Sequence, residues 1–197
     1  MHQLLIASTN QHKVGEYREL LADLPFELVG LRDVGITDDV AETGTTFTEN
    51  ALIKAEAYSQ RSGMITLADD SGIEIAALKG APGIHSARYG GVTGAAQLAL
   101  VLKQLEGVPF YERMARFVCV IAIAAPGQPT QTVAATLPGV VEFAPKGEHG
   151  FGYDPIFYLL EQGMTMAELP AAEKNRISHR AQALQKARPI LLALAQA

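Results

Sequence analysis

The chain has 197 residues, of which 48% are hydrophobic and 19% are charged, and its formal net charge is −5 at pH 7. This composition excludes a disordered protein, and a chain of this length buries enough surface on folding to form a core without disulfide bonds. The acidic balance argues against a general affinity for the nucleic-acid backbone, which requires many lysine and arginine contacts to phosphate.

The cellular compartment is indicated by what the sequence lacks. The single cysteine, Cys119, lies in an apolar run, so internal disulfides and a cysteine-cluster metal site are excluded and an inert core residue is expected. The apolar run at residues 4–7 is too short for a signal peptide, and no run approaches the ~20 apolar residues of a membrane span. These features predict a cytoplasmic protein that binds neither membrane nor nucleic acid.

The first predicted strand and helix are joined by a polar segment. A buried strand is predicted at residues 3–8, and apolar residues spaced by three and four from Val14 to Leu24 predict an amphipathic helix. The joining residues are Ser8, Thr9, Asn10, Gln11, His12 and Lys13. Such residues cap a helix start, where free N–H groups can bind an anion. Lys13 opposes the helix dipole there, which favours a phosphate ligand, although an ordinary cap with a solvated lysine fits the same residues.

A second strand is predicted at residues 26–31 and a second helix after Thr46. Thr46 and Glu49 have the spacing of a capping box, and the apolar residues that follow recur at helical spacing. Asn50 and Lys54 form a polar pair four residues apart, which is typical of a solvated helix face.

Two adjacent carboxylates mark the most unusual stretch of the sequence. Residues 65–68 predict a short buried strand that ends at the sequence Asp-Asp-Ser-Gly. Adjacent carboxylates raise each other's pKa unless a cation or donors intervene, which indicates a bound ligand. Because side chains alternate across a strand, Asp69 shares a face with the packed Leu67, and Asp70 is favoured as the acid in a cleft. The alternative is an Asx turn that reverses the chain and binds nothing.

The rest of the sequence continues the alternation of strands and helices. We predict a strand at residues 72–78, a helix at residues 95–105, and two long strands in the middle of the sheet at residues 116–125 and 131–141. The glycine-rich stretch at residues 79–94 is longer than an ordinary connection, which is typical of a functional loop.

Two segments near the end of the chain carry aromatic or basic residues. Glycines bracket Phe151, a pattern that fits either stacking on a base or a tight turn whose aromatics fill the core. Residues 173–180 hold the only dense basic cluster, which by composition alone would be a solvated surface. Ser178 is predicted to cap a terminal helix that Pro189 ends or kinks.

Six motifs stand out in the sequence: STNQHK at residues 8–13, ETGTTFTENALIKA at 42–55, ADDSG at 68–72, GAPGIHSARY at 80–89, GFGYDPIF at 150–157 and EKNRISHR at 173–180. Taken together, they resemble the inosine/xanthosine triphosphate pyrophosphatase family. The resemblance implies Mg²⁺-dependent hydrolysis of non-standard purine nucleoside triphosphates (ITP, dITP and XTP) to the monophosphate and pyrophosphate, which cleanses the nucleotide pool. It also implies an α/β fold. This is a two-lobed single domain over residues 1–197, with flanking helices around a long mixed β-sheet and a substrate groove between the lobes, and it assembles as a homodimer.

The resemblance also assigns roles to individual residues. Asp70 corresponds to the proton acceptor and a metal-binding acid, Ser71 to a substrate contact, and residues 8–13 to the phosphate-binding segment. The residues around the nucleoside are matched by Phe151, Gly152, Tyr153, Asp154, Lys174, His179 and Arg180. Many relatives carry two consecutive acids before Thr-Gly, whereas this chain has Ala41 and Glu42. Glu42 is therefore our candidate for the second metal-binding acid.

The residue chemistry fits this assignment. Mg²⁺ keeps waters and takes phosphate oxygens as ligands, so two carboxylates suffice. Lysine and arginine only donate hydrogen bonds, so Lys174 and Arg180 would donate to the six-carbonyl of hypoxanthine or xanthine and reject the amino group of adenine. Two alternatives stay open: a pyrophosphatase for modified pyrimidine nucleotides and a non-catalytic nucleotide-binding regulator. The paired acids favour an enzyme over the regulator.

Overall fold

A computed structural model describes residues 2–196 and shows an α/β fold. The strands are β1 (His2–Ile6), β2 (Phe26–Gly30), β3 (Ile65–Ile75), β4 (Met114–Ala124), β5 (Gln131–Val141), β6 (Phe157–Leu159) and β7 (Met164–Thr165). The helices are α1 (Gln11–Leu20), α2 (Phe47–Ser62), α3 (Ala95–Gln104), α4 (Ala171–Ile177) and α5 (His179–Leu194). In this part of the chain no helix is long and apolar enough to cross a membrane.

The seven strands form one sheet in the order β2-β1-β3-β4-β5-β6-β7. β1 pairs in parallel with both β2 and β3, whereas β6 pairs antiparallel with β5 and β7. The predicted mixed sheet is thereby confirmed, and the long strands β4 and β5 lie in its middle. Almost every residue of β4 is buried, because a central strand is covered on both faces.

β3 departs from the prediction at its centre. We expected two strands separated by a turn at Asp69 and Asp70, but the chain continues in one strand of 11 residues. The Asx-turn alternative is therefore wrong. The polar residues are tolerated within the strand because side chains of other elements supply their hydrogen-bond partners. In addition, Gly72 lets the backbone of β3 approach Ser86 closely. A Cβ atom at Gly72 would lie 2.3 Å from the Ser86 Oγ, and that Oγ accepts a hydrogen bond of 2.9 Å from the Ile73 amide.

The chain divides into two compact units. The first unit comprises Met1–Asp70, Cys119–Ala135 and Arg180–Ala197, and the second comprises Ser71–Val118 and Thr136–His179. Each unit has its own apolar core. Cys119 is fully buried in the core of the first unit, as predicted, and its burial raises the pKa of its thiol to about 12.

The helix ends follow the local signals in most cases. Both halves of the capping box of Thr46 and Glu49 are formed, and α5 begins directly after Ser178. Of the two alternatives for Pro189, that it ends the last helix is wrong, because α5 continues to Leu194, and a kink at Pro189 stays a prediction. Burial of Leu191 and Leu194 in the first unit's core offsets the hydrogen bond that proline cannot make. The long loop after β3 has structure of its own, an interrupted 3₁₀ helix at Gly83–Gly91.

Candidate active site

Asp70 is held by two side chains of α2. Its Oδ1 accepts a hydrogen bond of 3.3 Å from the Lys54 Nζ, and its Oδ2 accepts one of 3.2 Å from the Asn50 Nδ2. Lys54 also donates to the Glu42 Oε1 at 2.6 Å. One ammonium group thus joins the two acids that the sequence predicted as metal ligands.

The interpretation of Asn50 and Lys54 as a solvated helix face is wrong. Asn50 is only 2% exposed and Lys54 only 9%. The four-residue spacing places both side chains on one face of α2, and that face packs toward Asp70. The sequence feature that pointed to this buried contact was a polar pair set apart from the apolar stripe of the helix. The sequence alone does not say which face of the helix is buried.

The loop that carries Glu42 is fixed against the start of α2. The Gly44 amide donates to the Asn50 Oδ1 at 2.9 Å, and a Cβ atom at Gly44 would lie 2.6 Å from the Glu49 Cβ. The Glu49 carboxylate in turn accepts the amides of Thr45 and Thr46. These contacts place the Glu42 carboxylate beside Lys54.

Asp69 contacts a different set of cations, because it faces the opposite side of β3. Its Oδ2 accepts a hydrogen bond of 2.9 Å from the Lys13 Nζ of α1 and lies 3.5 Å from the Arg180 Nη2 of α5. Arg180 also donates to the Glu16 Oε2 at 2.6 Å. Lys13 is therefore not the solvated lysine of the ordinary-cap alternative, since its cation is paired with a buried carboxylate.

The two adjacent acids have opposite pKa shifts. Burial is the largest influence on both carboxyl groups and raises the pKa of each. For Asp69 the charges of Lys13, Arg180 and Lys54 outweigh burial and hold the pKa well below its usual range. For Asp70 burial prevails over Lys54 and Lys13, and the Glu42 charge adds to it, so the pKa is raised. A pair of acids whose environments separate their pKa values is typical of an acid–base site.

The predicted phosphate-binding segment leaves the sheet beside these acids. Ile6 pairs with Leu67, and the Ala7 amide donates to the Leu67 carbonyl at 2.8 Å, two residues before Asp69. Asn10 caps α1 by accepting the amides of His12 and Lys13. Four residues at this helix start are exposed, namely Thr9, Asn10, Gln11 and His12, and Ser8 is half-buried. The segment lies at the carboxyl end of a parallel strand, where α/β folds commonly bind phosphates.

The second unit holds the residues predicted around the nucleoside, except Arg180, which belongs to the first unit. The Asp154 Oδ2 accepts hydrogen bonds from the Phe151 amide at 2.8 Å and from the Lys174 Nζ at 2.7 Å. The Lys174 ammonium also lies over the Phe151 ring, 4.5 Å from its centroid. Asp154 therefore fixes both the turn and the lysine. Gly150, at φ +74°, is required beside it, because a Cβ atom there would lie 2.1 Å from the Asp154 Oδ2.

The basic cluster at residues 173–180 is not a solvated surface. Lys174 and His179 are buried, and the exposed Arg176 pairs with Glu173. The His179 ring stacks on Phe117, with centroids 4.7 Å apart and planes 18° apart. Tyr153 is buried and donates to the Ser86 carbonyl at 2.9 Å. The core-filling alternative thus holds for the Tyr153 ring, whereas the Phe151 ring is half-exposed.

The acids fit a metal ion that brings its own ligands. Among residues 2–196, no group of three or more histidine, cysteine, aspartate or glutamate side chains could hold a metal ion. Asp70 and Glu42 nevertheless converge on one cation, the ammonium of Lys54. Two carboxylates of this kind suit Mg²⁺, which completes its shell with phosphate oxygens and waters.

Comparison with known proteins identifies relatives over nearly the whole chain. Residues 4–190 match the model of the Ham1 family. The chain is 52% identical over 188 residues to a dITP/XTP pyrophosphatase of Geobacillus kaustophilus, covering 94% of this chain and 92% of that protein. It is 44% identical to the dITP/XTP pyrophosphatase of Bacillus subtilis, covering 97% and 98%. Two solved structures are similar: a Ham1 protein of Coxiella burnetii (TM-score 0.88, 41% identity, 100% of both chains) and the Ham1 protein of Staphylococcus aureus (TM-score 0.86, 39% identity, 96% and 97%).

Proposed function

Because the chain belongs to the Ham1 family, we propose that it hydrolyses non-standard purine nucleoside triphosphates such as dITP and XTP to the monophosphate and pyrophosphate. The observation that carries this proposal is the 52% identity to a dITP/XTP pyrophosphatase over 94% of the chain. The paired acids of β3 supply a chemical reason for hydrolysis, because a buried carboxyl group with a raised pKa is typical of an active site.

Asp70 is the proton acceptor in this proposal. Its two oxygens are held by Lys54 and Asn50, so the carboxylate has a fixed orientation. A base placed in this way orients and deprotonates the attacking water, which contributes roughly 10²–10⁴-fold to the rate.

The metal ion of the proposal is Mg²⁺, held by Asp70 and Glu42. When bound, it would neutralise charge on the triphosphate. Lys54 lies between the same two carboxylates and keeps them together before the metal–nucleotide complex arrives.

The triphosphate is bound by residues 8–13 in this proposal. The positive end of the α1 dipole and the Lys13 ammonium both favour negative charge, and together they stabilise the charge that develops on the transferred phosphate.

The nucleoside is contacted by Ser71 and by the second unit's residues Phe151, Gly152, Tyr153, Asp154, Lys174 and His179. The half-exposed Phe151 ring suits stacking on a base, and Lys174 donates to the six-carbonyl that distinguishes hypoxanthine and xanthine from adenine. For Arg180 we propose a role away from the base, in place of the base contact that the resemblance implies. Its guanidinium group is buried against Glu16 and Asp69.

We also propose that the protein is a cytoplasmic homodimer and that both units serve one pyrophosphatase domain over residues 1–197. These proposals rest on the family membership and on the absence of a membrane-spanning helix among residues 2–196.

Pyrophosphate release from a panel of nucleoside triphosphates tests the function. The panel contains dITP, XTP, dATP, dGTP and dUTP, each assayed with Mg²⁺ and with excess chelator. We expect rapid release from dITP and XTP only when Mg²⁺ is present. Preferential release from dUTP or another pyrimidine nucleotide would show that the substrates are pyrimidine and not purine nucleotides. Binding of dITP without release of pyrophosphate would indicate a nucleotide-binding regulator and not an enzyme.

A further inference from the structure

Four side chains of alternating charge form a continuous chain of ion pairs in the first unit. The Glu16 carboxylate pairs with Arg180 at 2.6 Å, Arg180 lies 3.5 Å from Asp69, and Asp69 pairs with Lys13 at 2.9 Å. Glu16 and Lys13 both belong to α1, three residues apart, while Asp69 is in β3 and Arg180 is in α5. The chain of ion pairs therefore fastens the first turn of α1 to the strand that carries the catalytic acid.

The two residues in the middle of this chain of ion pairs are inaccessible to solvent, whereas Lys13 at one end is partly accessible. The side chains of Asp69 and Arg180 are 1% and 2% exposed, whereas that of Lys13 is 14% exposed. A buried carboxylate and a buried guanidinium are stable only while they stay paired, so their geometry is strongly constrained. The position of the Lys13 ammonium is then set by a partner that cannot move.

We propose that Asp69 is a positioning residue that aims the Lys13 ammonium at the triphosphate, and that Arg180 and Glu16 hold Asp69 in place. The inference rests on the proposed function and adds a role for the acid beside the catalytic one. An ammonium group has three N–H donors. Asp69 is the only hydrogen-bond partner of the Lys13 ammonium among residues 2–196, so two of its three donors are left for phosphate oxygens.

Asp69 acts through Lys13 and does not touch the substrate. Its carboxylate faces away from Asp70, and its neighbours on that side are the buried Cys119 and Tyr17. A residue in such a place contributes to the reaction only through the group that it orients. The consequence to be measured is therefore the coupling between Asp69 and Lys13.

A double-mutant cycle measures this coupling. The four proteins are the wild type, Asp69→Asn, Lys13→Met and the double variant, each assayed for kcat/KM with dITP and Mg²⁺. We expect Asp69→Asn to lower kcat/KM by about tenfold in the wild-type background and by less than about threefold in the Lys13→Met background. Equal losses in both backgrounds would overturn the inference, because Asp69 would then act without Lys13.

A matched control separates positioning from general loss of charge or stability. Asp23→Asn removes another aspartate of the first unit, one that pairs with Arg188 at the surface. We expect it to change kcat/KM by less than about twofold in both backgrounds, as surface ion pairs contribute little. Titration with inorganic tripolyphosphate gives a second readout, in which Asp69→Asn is expected to change the dissociation constant only when Lys13 is present.

The cycle has a second variant in case Asp69→Asn does not fold. Glu16→Gln removes the outer carboxylate of the chain, and we expect a loss of about threefold with Lys13 and none with Lys13→Met. An equal loss in both backgrounds would overturn the inference. A wild-type protein that releases no pyrophosphate from dITP or XTP would refute the proposed function instead, and the tripolyphosphate titration would still decide whether Asp69 aims Lys13.

Discussion

Asp69 and Asp70 are consecutive residues of one strand, and their carboxylates pair with lysines of two different helices. Asp69 pairs with Lys13 of α1 at 2.9 Å, and Asp70 pairs with Lys54 of α2 at 3.3 Å. The alternation of side chains in an extended strand separates the two acids, so each has a hydrogen-bonded lysine of its own to offset the repulsion expected of adjacent carboxylates. The two environments shift the pKa values in opposite directions: the cations around Asp69 hold its pKa below the usual range, and burial raises the pKa of Asp70.

Asp70→Asn is expected to remove nearly all turnover while nucleotide binding changes by less than about tenfold. The amide keeps the shape of the carboxyl group but cannot accept the proton of the attacking water, and a lost general base costs roughly 10²–10⁴-fold in rate. Pyrophosphate release and calorimetric titration with dITP measure the two quantities. Asp38→Asn, which alters an exposed aspartate of the first unit, is the control and should be fully active. A variant that retains more than about a tenth of the wild-type rate would move the role of base away from Asp70.

Lys13→Ala is expected to weaken binding of dITP far more than binding of dIMP. The proposed partners of the ammonium are the distal phosphates, and charge-assisted hydrogen bonds to phosphate are strong. The variant should also lose about 1–3 kcal/mol of unfolding free energy, because a buried carboxylate loses its hydrogen-bonded cation. A solvated lysine, which the sequence alone allowed, would have no such effect on stability. Equal losses of affinity for both nucleotides would place Lys13 outside the phosphate site.

Local signals predicted most of the fold, whereas the partners of the acids depend on contacts distant in sequence. The capping box of Thr46 and Glu49 and the strand periods are set by neighbouring residues, so these elements were predicted from the sequence. The side of the strand that Asp69 faces followed from alternation alone. Its partner Lys13, however, is 56 residues away, and no local pattern pairs the two.

The continuity of β3 was missed for a similar reason. The sequence Asp-Asp-Ser-Gly has every property of a turn, and it remains extended only because Lys13, Lys54 and Ser86 satisfy it from elsewhere. Tertiary contacts thus override the local preference in the segment that carries the proposed catalytic acid. Such conflicts between local signal and fold are expected at functional sites.

Gly72→Ala is expected to destabilise the protein by about 1–3 kcal/mol, as overpacking in a filled interior does. The added Cβ would lie 2.3 Å from the Ser86 Oγ and 2.6 Å from the Gly83 carbonyl oxygen, and the second atom belongs to the backbone and cannot rotate away. Gly15→Ala is the matched control, since nothing lies within 4 Å of its Cβ position in α1. Alanine in a helix interior should raise stability there by about 0.5–1 kcal/mol. Urea denaturation of both variants measures the difference, and a stable Gly72→Ala protein would contradict the close approach of β3 to Ser86.

The stability contributed by Asp69 is expected to depend on pH in one direction. The cations around Asp69 outweigh its burial and hold its pKa below the ordinary value of 3.8. A carboxyl group whose pKa is depressed by folding stabilises the protein fully above its unfolded-state pKa, and that stabilisation is lost as the pH falls through the folded-state pKa. The difference in unfolding free energy between the wild type and Asp69→Asn, without divalent cations, should be constant from about pH 6 to 8 and shrink below about pH 4. A difference that grows on acidification would contradict the ion pairs with Lys13 and Arg180.

Arg180→Lys is expected to lower kcat/KM by a similar factor for dITP and for the slow substrate dATP. The sequence predicted that Arg180 selects the base, and a base contact would instead narrow the ratio between the two substrates. The guanidinium group is buried against Glu16 and Asp69. Its replacement by the ammonium group of lysine, which lacks the planar set of donors, should therefore weaken the positioning of Asp69 and Lys13. Neither of these residues distinguishes the bases. Lys174→Met is the comparison, and there we expect the ratio of dITP to dATP to narrow by about tenfold or more, since a donor to the six-carbonyl is lost. Steady-state kinetics of both variants on both nucleotides test this prediction. If Arg180→Lys narrows the ratio of kcat/KM for dITP to that for dATP, then Arg180 contacts the base and does not act through the chain of ion pairs.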